Sequence, residues 1–196
     1  LKYGGTIDKF VGDAILIFFG DPETKGERED AHSCVLMALE MQERMHHLKD
    51  LWEDQGITNP LEIRIGINTG YCNVGNFGSE NRLDYTIIGG EVNLASRLES
   101  NAMTGQILIS QETYALIKKD IVCEKKDEIK VKGIAYKIQT YQVIGSYKSI
   151  AQKRKILNEE FDGFNLNIDL NVSKKNKVIT SLENTLKQLK KAEKSN

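Results

Sequence analysis

Two short apolar runs open the chain. Residues 6–10 and 14–19 carry strand-type side chains and meet at Val11-Gly12-Asp13, which predicts a hairpin. The second run, "AILIFF", is apolar almost throughout, so it is expected to be buried on both faces. From Glu29 to about Trp52 the spacing changes. Val35, Leu36, Leu39, Met45, Leu48 and Trp52 recur at three- and four-residue steps, the period of an amphipathic helix. Asn59-Pro60 ends that pattern. "LEIRIGINTG" then alternates apolar and polar positions and predicts a strand over 61–70. The glycines Gly66, Gly70, Gly75 and Gly78 allow tight turns and close backbone approach. "LDYTIIGG" reads as a further short strand, and "EVNLASRLES" as a helix with Val92, Leu94, Ala95 and Leu98 available for burial. "GQILIS" is a strand, and Ser110 suits the N-cap of a helix over "QETYALIKK". "DIVCE", "EIKVKG" and "IQTYQVIG" complete the strands. This alternation, with both hairpins and crossovers, predicts an α+β or α/β sandwich around a mixed sheet up to residue 145.

Beyond Gly145 the character changes. "SYKSIAQKRKILNEE" is polar and basic and predicts a linker or exposed helix within 146–163. "FNLNIDLNV" alternates strictly, with Phe164, Leu166, Ile168 and Leu170 on one face. Ser173 can cap a final helix whose apolar stripe is Val178, Leu182, Leu186 and Leu189. Such a strand-helix tail, 164–196, either packs on its own domain or pairs with another chain. The expected organisation is a sheet-and-helix domain over 1–145, a linker over 146–163 and this tail.

Composition narrows the class. The 196 residues suffice for one domain with a proper core plus an appendage, and 40% hydrophobic with 28% charged residues is ordinary for a globular protein. A formal net charge of -1 gives no basic footprint for nucleic acid. No apolar run approaches the ~20 residues of a membrane span, so no membrane contact is expected from this segment. Cys34, Cys72 and Cys123 are far apart and form no C-x-x-C pair, so the expectation is three buried, reduced thiols in a cytoplasmic protein. The chain starts at Leu1, almost inside a structural element, which leads us to expect a fragment or a product that has lost its start.

Candidate chemistry begins at the first hairpin, "GGTIDKFVGDAILIFFG". Asp13 at its bend can stabilise the turn through its side-chain oxygen, which is the commoner role, or hold a hard cation at the sheet edge. Asn93 and Arg97 lie four apart on one predicted helix, hence on one face. An amide there can orient a ribose or ring, and a guanidinium suits a polyphosphate. Such a pair alone is more often a surface feature. Lys132, beside Gly133, adds a cation in a late strand region. Converging, these groups would make a nucleoside triphosphate site. The adjacent His46-His47 diverge on their helix and read as a solvated pair.

Three segments, "IDKFVGDAILIFFG", "IRIGINTGYCNVGNFGSENRLDYTIIGGEVNLASRLE" and "VKG", resemble in order the catalytic domain of class III adenylyl/guanylyl cyclases, from Gly4 to about Gly145. The resemblance implies a ferredoxin-like core, mixed but mostly antiparallel, with flanking helices. It implies two domains paired head to tail, with active sites at the homodimer interface and two Mg²⁺ or Mn²⁺ ions per site. By the same resemblance Asp13 matches one of two metal-holding aspartates. Lys9 and Thr86 match the purine-contacting positions, Asn93 the residue that positions the ribose, and Arg97 the one that stabilises charge on the α-phosphoryl group. Lys132 matches the lysine for the β- and γ-phosphates. Guanylyl cyclases typically carry glutamate at the Lys9 position, and a large bacterial subgroup carries Thr at the Thr86 position, so Lys9 with Thr86 implies ATP as substrate. The family's other metal aspartate lies in a motif like F-x-D-I-x-G-F-T, which this chain does not contain, so it resembles the domain minus its opening segment.

Overall fold

A computed structural model describes residues 2–79, 82–131, 136–153, 156–161, 163–169 and 175–193. The chain divides into two compact units, Leu1–Ser146 and Tyr147–Asn196. In the first, β1 (Thr6–Val11) and β2 (Ala14–Phe18) form the opening hairpin, followed by the long helix α1 (Glu27–Asp54). Then come β3 (Ile65–Ile67), β4 (Asn73–Ser79), β5 (Arg82–Ile88), α2 (Gly90–Asn101), β6 (Ile107–Ser110) and α3 (Gln111–Ile117). β7 (Ile121–Lys125), β8 (Ile129–Lys130), β9 (Lys137–Ile138) and β10 (Thr140–Ser146) close the unit.

The central sheet has the order β3-β6-β10-β7, with β3 and β6 parallel and the other neighbours antiparallel. Its alternation sorts side chains to two cores. Ile107 and Ile109 of β6 join Ala31, Val35 and Ala38 of α1, Ile117 of α3, and Ile67, Ile121 and Val143. Leu108 of the same strand faces the other way, into a cluster with Leu94, Leu98, Ala102, Val131 and Ile138. Helices therefore cover both faces, α1 and α3 on one and α2 on the other, and the expected α+β arrangement around a mostly antiparallel sheet is what forms.

Two glycines set where α2 lies. A methyl at Gly66 of β3 would run into the backbone of Ala95 and Glu99, so the missing side chain lets the strand pass directly beneath the helix. Gly89, with φ of 154°, makes the turn from β5 into α2 in a conformation that other residues rarely adopt. Asn68, just past β3, donates from Nδ2 to the Glu91 carbonyl at 3.1 Å and to Glu91 Oε2 at 2.7 Å, tying the sheet to the first turn of α2.

Several expectations need correction. β2 is not buried on both faces. Ala14 is exposed and Ile15 is 46% exposed, and Ile7, Phe10 and Val11 of β1 are open as well. Among the described residues β1 pairs with β2 and with no further strand, so an apolar pattern here finds no cover at the hairpin's tip. The strand expected over 61–70 shrinks to Ile65–Ile67, because pairing with β6 spans just three residues. β4 was not anticipated: it pairs along its whole length with β5. The strand "EIKVKG" is confined to Ile129–Lys130, and Lys132 and Gly133 lie outside the described residues. Cys34 and Cys123 are half-buried against the first core, but Cys72 is exposed.

The second unit holds α4 (Tyr147–Lys153), β11 (Ile156–Phe161), β12 (Phe164–Asp169) and α5 (Lys175–Glu193). Where a linker was expected, β11 pairs antiparallel with β12 from Ile156↔Asp169 to Phe161↔Phe164. The strand expected at "FNLNIDLNV" thus finds its partner in the same chain, and the Phe161 and Phe164 rings stack at 4.6 Å. Leu170 and the cap Ser173 lie outside the described residues. On α5, Leu182, Leu186 and Leu189 are exposed. Among the described residues no helix is long and apolar enough to cross a membrane.

Candidate active site

The candidate residues sit on three elements of the first unit. Lys9 projects from β1 and Asp13 from the exposed bend between β1 and β2. Thr86 lies on β5 and is buried, 4% exposed. Asn93 and Arg97 stand on α2. Leu94 and Leu98, one step further along, turn into the core, and this anchoring leaves Asn93 and Arg97 exposed on the outer face.

Lys9 and Thr86 are brought together through a residue that sequence reasoning passed over. Thr86 Oγ1 donates to Asp8 Oδ2 at 2.7 Å, and Lys9 Nζ lies 3.8 Å from Asp8 Oδ1. The Asp8 side chain is 2% exposed. Successive residues of a regular strand point to opposite faces. Here the register slips between Ile7, opposite Ile17, and Lys9, opposite Leu16, so Asp8 is the extra residue of a bulge. Bulges re-aim side chains, and this one places a carboxylate and an ammonium side by side on adjacent residues. The signal in the sequence was a carboxylate directly before Lys9, which strand alternation assigns to the far side.

Neighbouring groups are perturbed. The Tyr85 hydroxyl donates to Asp21, and that bond, with desolvation and the Asp21 charge, holds its proton more tightly than a free tyrosine does. Desolvation and then the Asp21 charge push up the Cys72 thiol.

Among the described residues no hydrogen bond or ion pair joins Asn93 or Arg97 to Lys9, Asp13 or Thr86. Lys132 lies outside the described residues. A shallow hollow beside α1, lined by Gln42, Met45, His46 and Leu61 among others, contains none of them. For a metal, Asp13 offers a hard, exposed carboxylate of suitable chemistry, but among the described residues no three His, Cys, Asp or Glu side chains gather to form a cage. It fits as one ligand of an incomplete set.

Residues 6–145 match the adenylate and guanylate cyclase catalytic domain, and the chain belongs to that family. The family is generally divalent-metal dependent. The terminal-differentiation-specific adenylate cyclase of Dictyostelium discoideum is 35% identical over 147 residues, which are 72% of this chain and 7% of that protein. The crystal structure of the adenylyl cyclase CyaB from P. aeruginosa superposes with a TM-score of 0.72 at 60% identity, covering 75% of each chain. The guanylyl cyclase Cya2 superposes at 0.68 with 37% identity, over 74% of this chain and 72% of that one. The chain therefore spans a small part of the Dictyostelium relative and three quarters of the CyaB structure.

Proposed function

We propose that this domain is an adenylate cyclase, forming 3′,5′-cyclic AMP and pyrophosphate from ATP for intracellular signalling in the cytoplasm, and that it works as a homodimer. The observation that carries the choice of ATP is the Lys9–Asp8–Thr86 cluster, which sets a donor and a hydroxyl side by side where a glutamate would suit guanine. The higher identity to an adenylyl cyclase than to a guanylyl cyclase supports the same choice.

In this reading the ribose 3′-hydroxyl attacks the α-phosphorus and pyrophosphate leaves, without a protein nucleophile. Catalysis is positioning plus charge stabilisation. Asn93 orients the ribose so that its hydroxyl stays in line. Arg97, a permanent planar cation, meets the charge that develops on the α-phosphoryl oxygens. Lys132 holds the β- and γ-phosphates. Asp13 binds divalent metal, with Mg²⁺ or Mn²⁺ and two ions per site as the family's pattern, and phosphate oxygens are suitable further ligands. Such ions, when bound, neutralise charge and ease loss of the hydroxyl proton.

Dimerisation is supported by the open apolar tip of β1 and β2. A second reading, a non-catalytic nucleotide-binding or dimerisation module, is favoured by the lack of a metal cage among the described residues. Incubating the full-length protein with ATP or GTP and Mg²⁺ or Mn²⁺, then measuring cyclic nucleotide, separates them. Cyclic AMP in excess of cyclic GMP is expected. Nucleotide binding without either product would establish the second reading.

A further inference from the structure

The base-reading pair has a gap that a third residue fills. A lysine ammonium can only donate a hydrogen bond, whereas a threonine hydroxyl can donate or accept. Adenine presents an acceptor at N1 and a donor at its 6-amino group; guanine presents a donor at N1 and an acceptor at O6. Lys9 therefore suits adenine N1, but guanine O6 accepts from an ammonium as well. Thr86 discriminates only while its hydroxyl accepts, because a freely turning hydroxyl would donate to O6 and tolerate guanine.

Asp8 takes that freedom away. The hydroxyl has one proton, and Oδ2 of Asp8 receives it at 2.7 Å. The competing acceptor, the Ile87 carbonyl, is at 3.4 Å and uncharged, so distance and charge both favour Asp8. An ionised carboxylate cannot donate back, which leaves Thr86 with acceptor lone pairs alone. The second carboxylate oxygen lies 3.8 Å from Lys9 Nζ, so the ammonium partly offsets the cost of a buried charge and is itself drawn beside the threonine. Burial matters too. Thr86 keeps 4% of its surface open and the Asp8 side chain 2%, so water has little access to compete for the bond. The bulge in β1 serves this arrangement, since regular pairing would send Asp8 to the opposite face from Lys9.

We propose that Asp8 is a positioning residue for substrate choice: it commits Thr86 to accept and holds Lys9 as the adjacent donor, so that together they mirror the edge of adenine and repel that of guanine. This role rests on the reading of Lys9 and Thr86 as the base-contacting pair. If Asp8 were merely a structural tie between β1 and β5, its loss would weaken turnover of both nucleotides alike.

The test measures kcat/KM for ATP and for GTP in the full-length protein and in Asp8→Ala, Asp8→Asn, Thr86→Val and the double variant Asp8→Ala/Thr86→Val, with thermal melting to follow the fold. The ATP-over-GTP ratio is expected to fall about tenfold or more in Asp8→Ala, the scale of one hydrogen bond to a charged group. Asp8→Asn, which keeps the shape and so protects folding, should shift the ratio in the same direction but by less than Asp8→Ala, because its amide can either donate to the hydroxyl and release the threonine proton or accept that proton through its oxygen. In the Thr86→Val background, Asp8→Ala should change the ratio less than it does alone, the remainder being its hold on Lys9. A wild-type preference that drops with Thr86→Val yet survives both Asp8 variants overturns the role of Asp8 alone. A wild-type protein with no preference for ATP, or one whose preference ignores Thr86→Val, overturns the base-contacting assignment and this role with it.

Discussion

Arg97 stands exposed on α2 with its anchoring neighbour Leu98 fully buried, so its side chain can be removed without opening the core. Arg97→Ala in the full-length protein should lower kcat with ATP by about 10²–10³-fold, as loss of one transition-state donor does, while leaving the thermal midpoint near that of the wild type. Near-normal turnover would take Arg97 out of the chemistry. The cysteines divide by environment. Burial pushes the Cys34 thiol up to about 12 and Cys123 to about 11. Both stay protonated at pH 8, where the thiolate is the reactive form. Iodoacetamide should therefore modify exposed Cys72 first, slowly because its own thiol is raised, and reach the other two after unfolding; mass spectrometry of timed digests reads this order. For stability the sign follows. Unfolded Cys34 loses its proton near 9.0 and the folded form holds it to about 12, so its contribution is full below pH 9 and is lost as pH rises toward 12.

At the scale of elements, the contact between β3 and α2 is the most exacting. Gly66→Ala forces the two backbones apart and should cost about 2 kcal/mol, the usual range for overpacking, with a matching fall in the urea midpoint. An unchanged midpoint would show that strand and helix have room to separate. Most elements could be read from the chain because their periods are strong. α2 is a case in point: the inward Leu94 and Leu98 and the outward Asn93 and Arg97 follow from spacing alone. β4 hid behind Asn73, Gly75, Asn76 and Gly78, residues with little strand preference, and its pairing with β5 outweighs that. The bulge at Asp8 was invisible for a different reason. Nothing in a string of residues marks where one strand slips against another, and the slip decides which side chains become neighbours.

For the molecule as a whole, burial is what the pattern could not supply. An apolar run says that cover is needed, not what provides it. Ile7, Phe10, Val11 and Ile15 are between 45% and 67% exposed, and Leu83 and Ile88 of β5 are open as well. Large exposed apolar patches on a protein commonly mark interaction sites. Two copies meeting there would each bury a phenyl from Phe10, worth about 2 kcal/mol apiece. Phe10→Asp should therefore weaken self-association by about 10²-fold or more, measured by sedimentation equilibrium, and cyclase activity should fall with it. Association equal to that of the wild type would place the dimer contact elsewhere.

β6 has a consequence of its own. Its four residues are screened by helices above and below and flanked by β3 and β10, so solvent finds no edge or face from which to enter. Amide protons of Ile107–Ser110 can trade with deuterium chiefly when the whole first unit comes apart, which makes this short strand an internal clock for global opening, while the β1–β2 tip exchanges long before it.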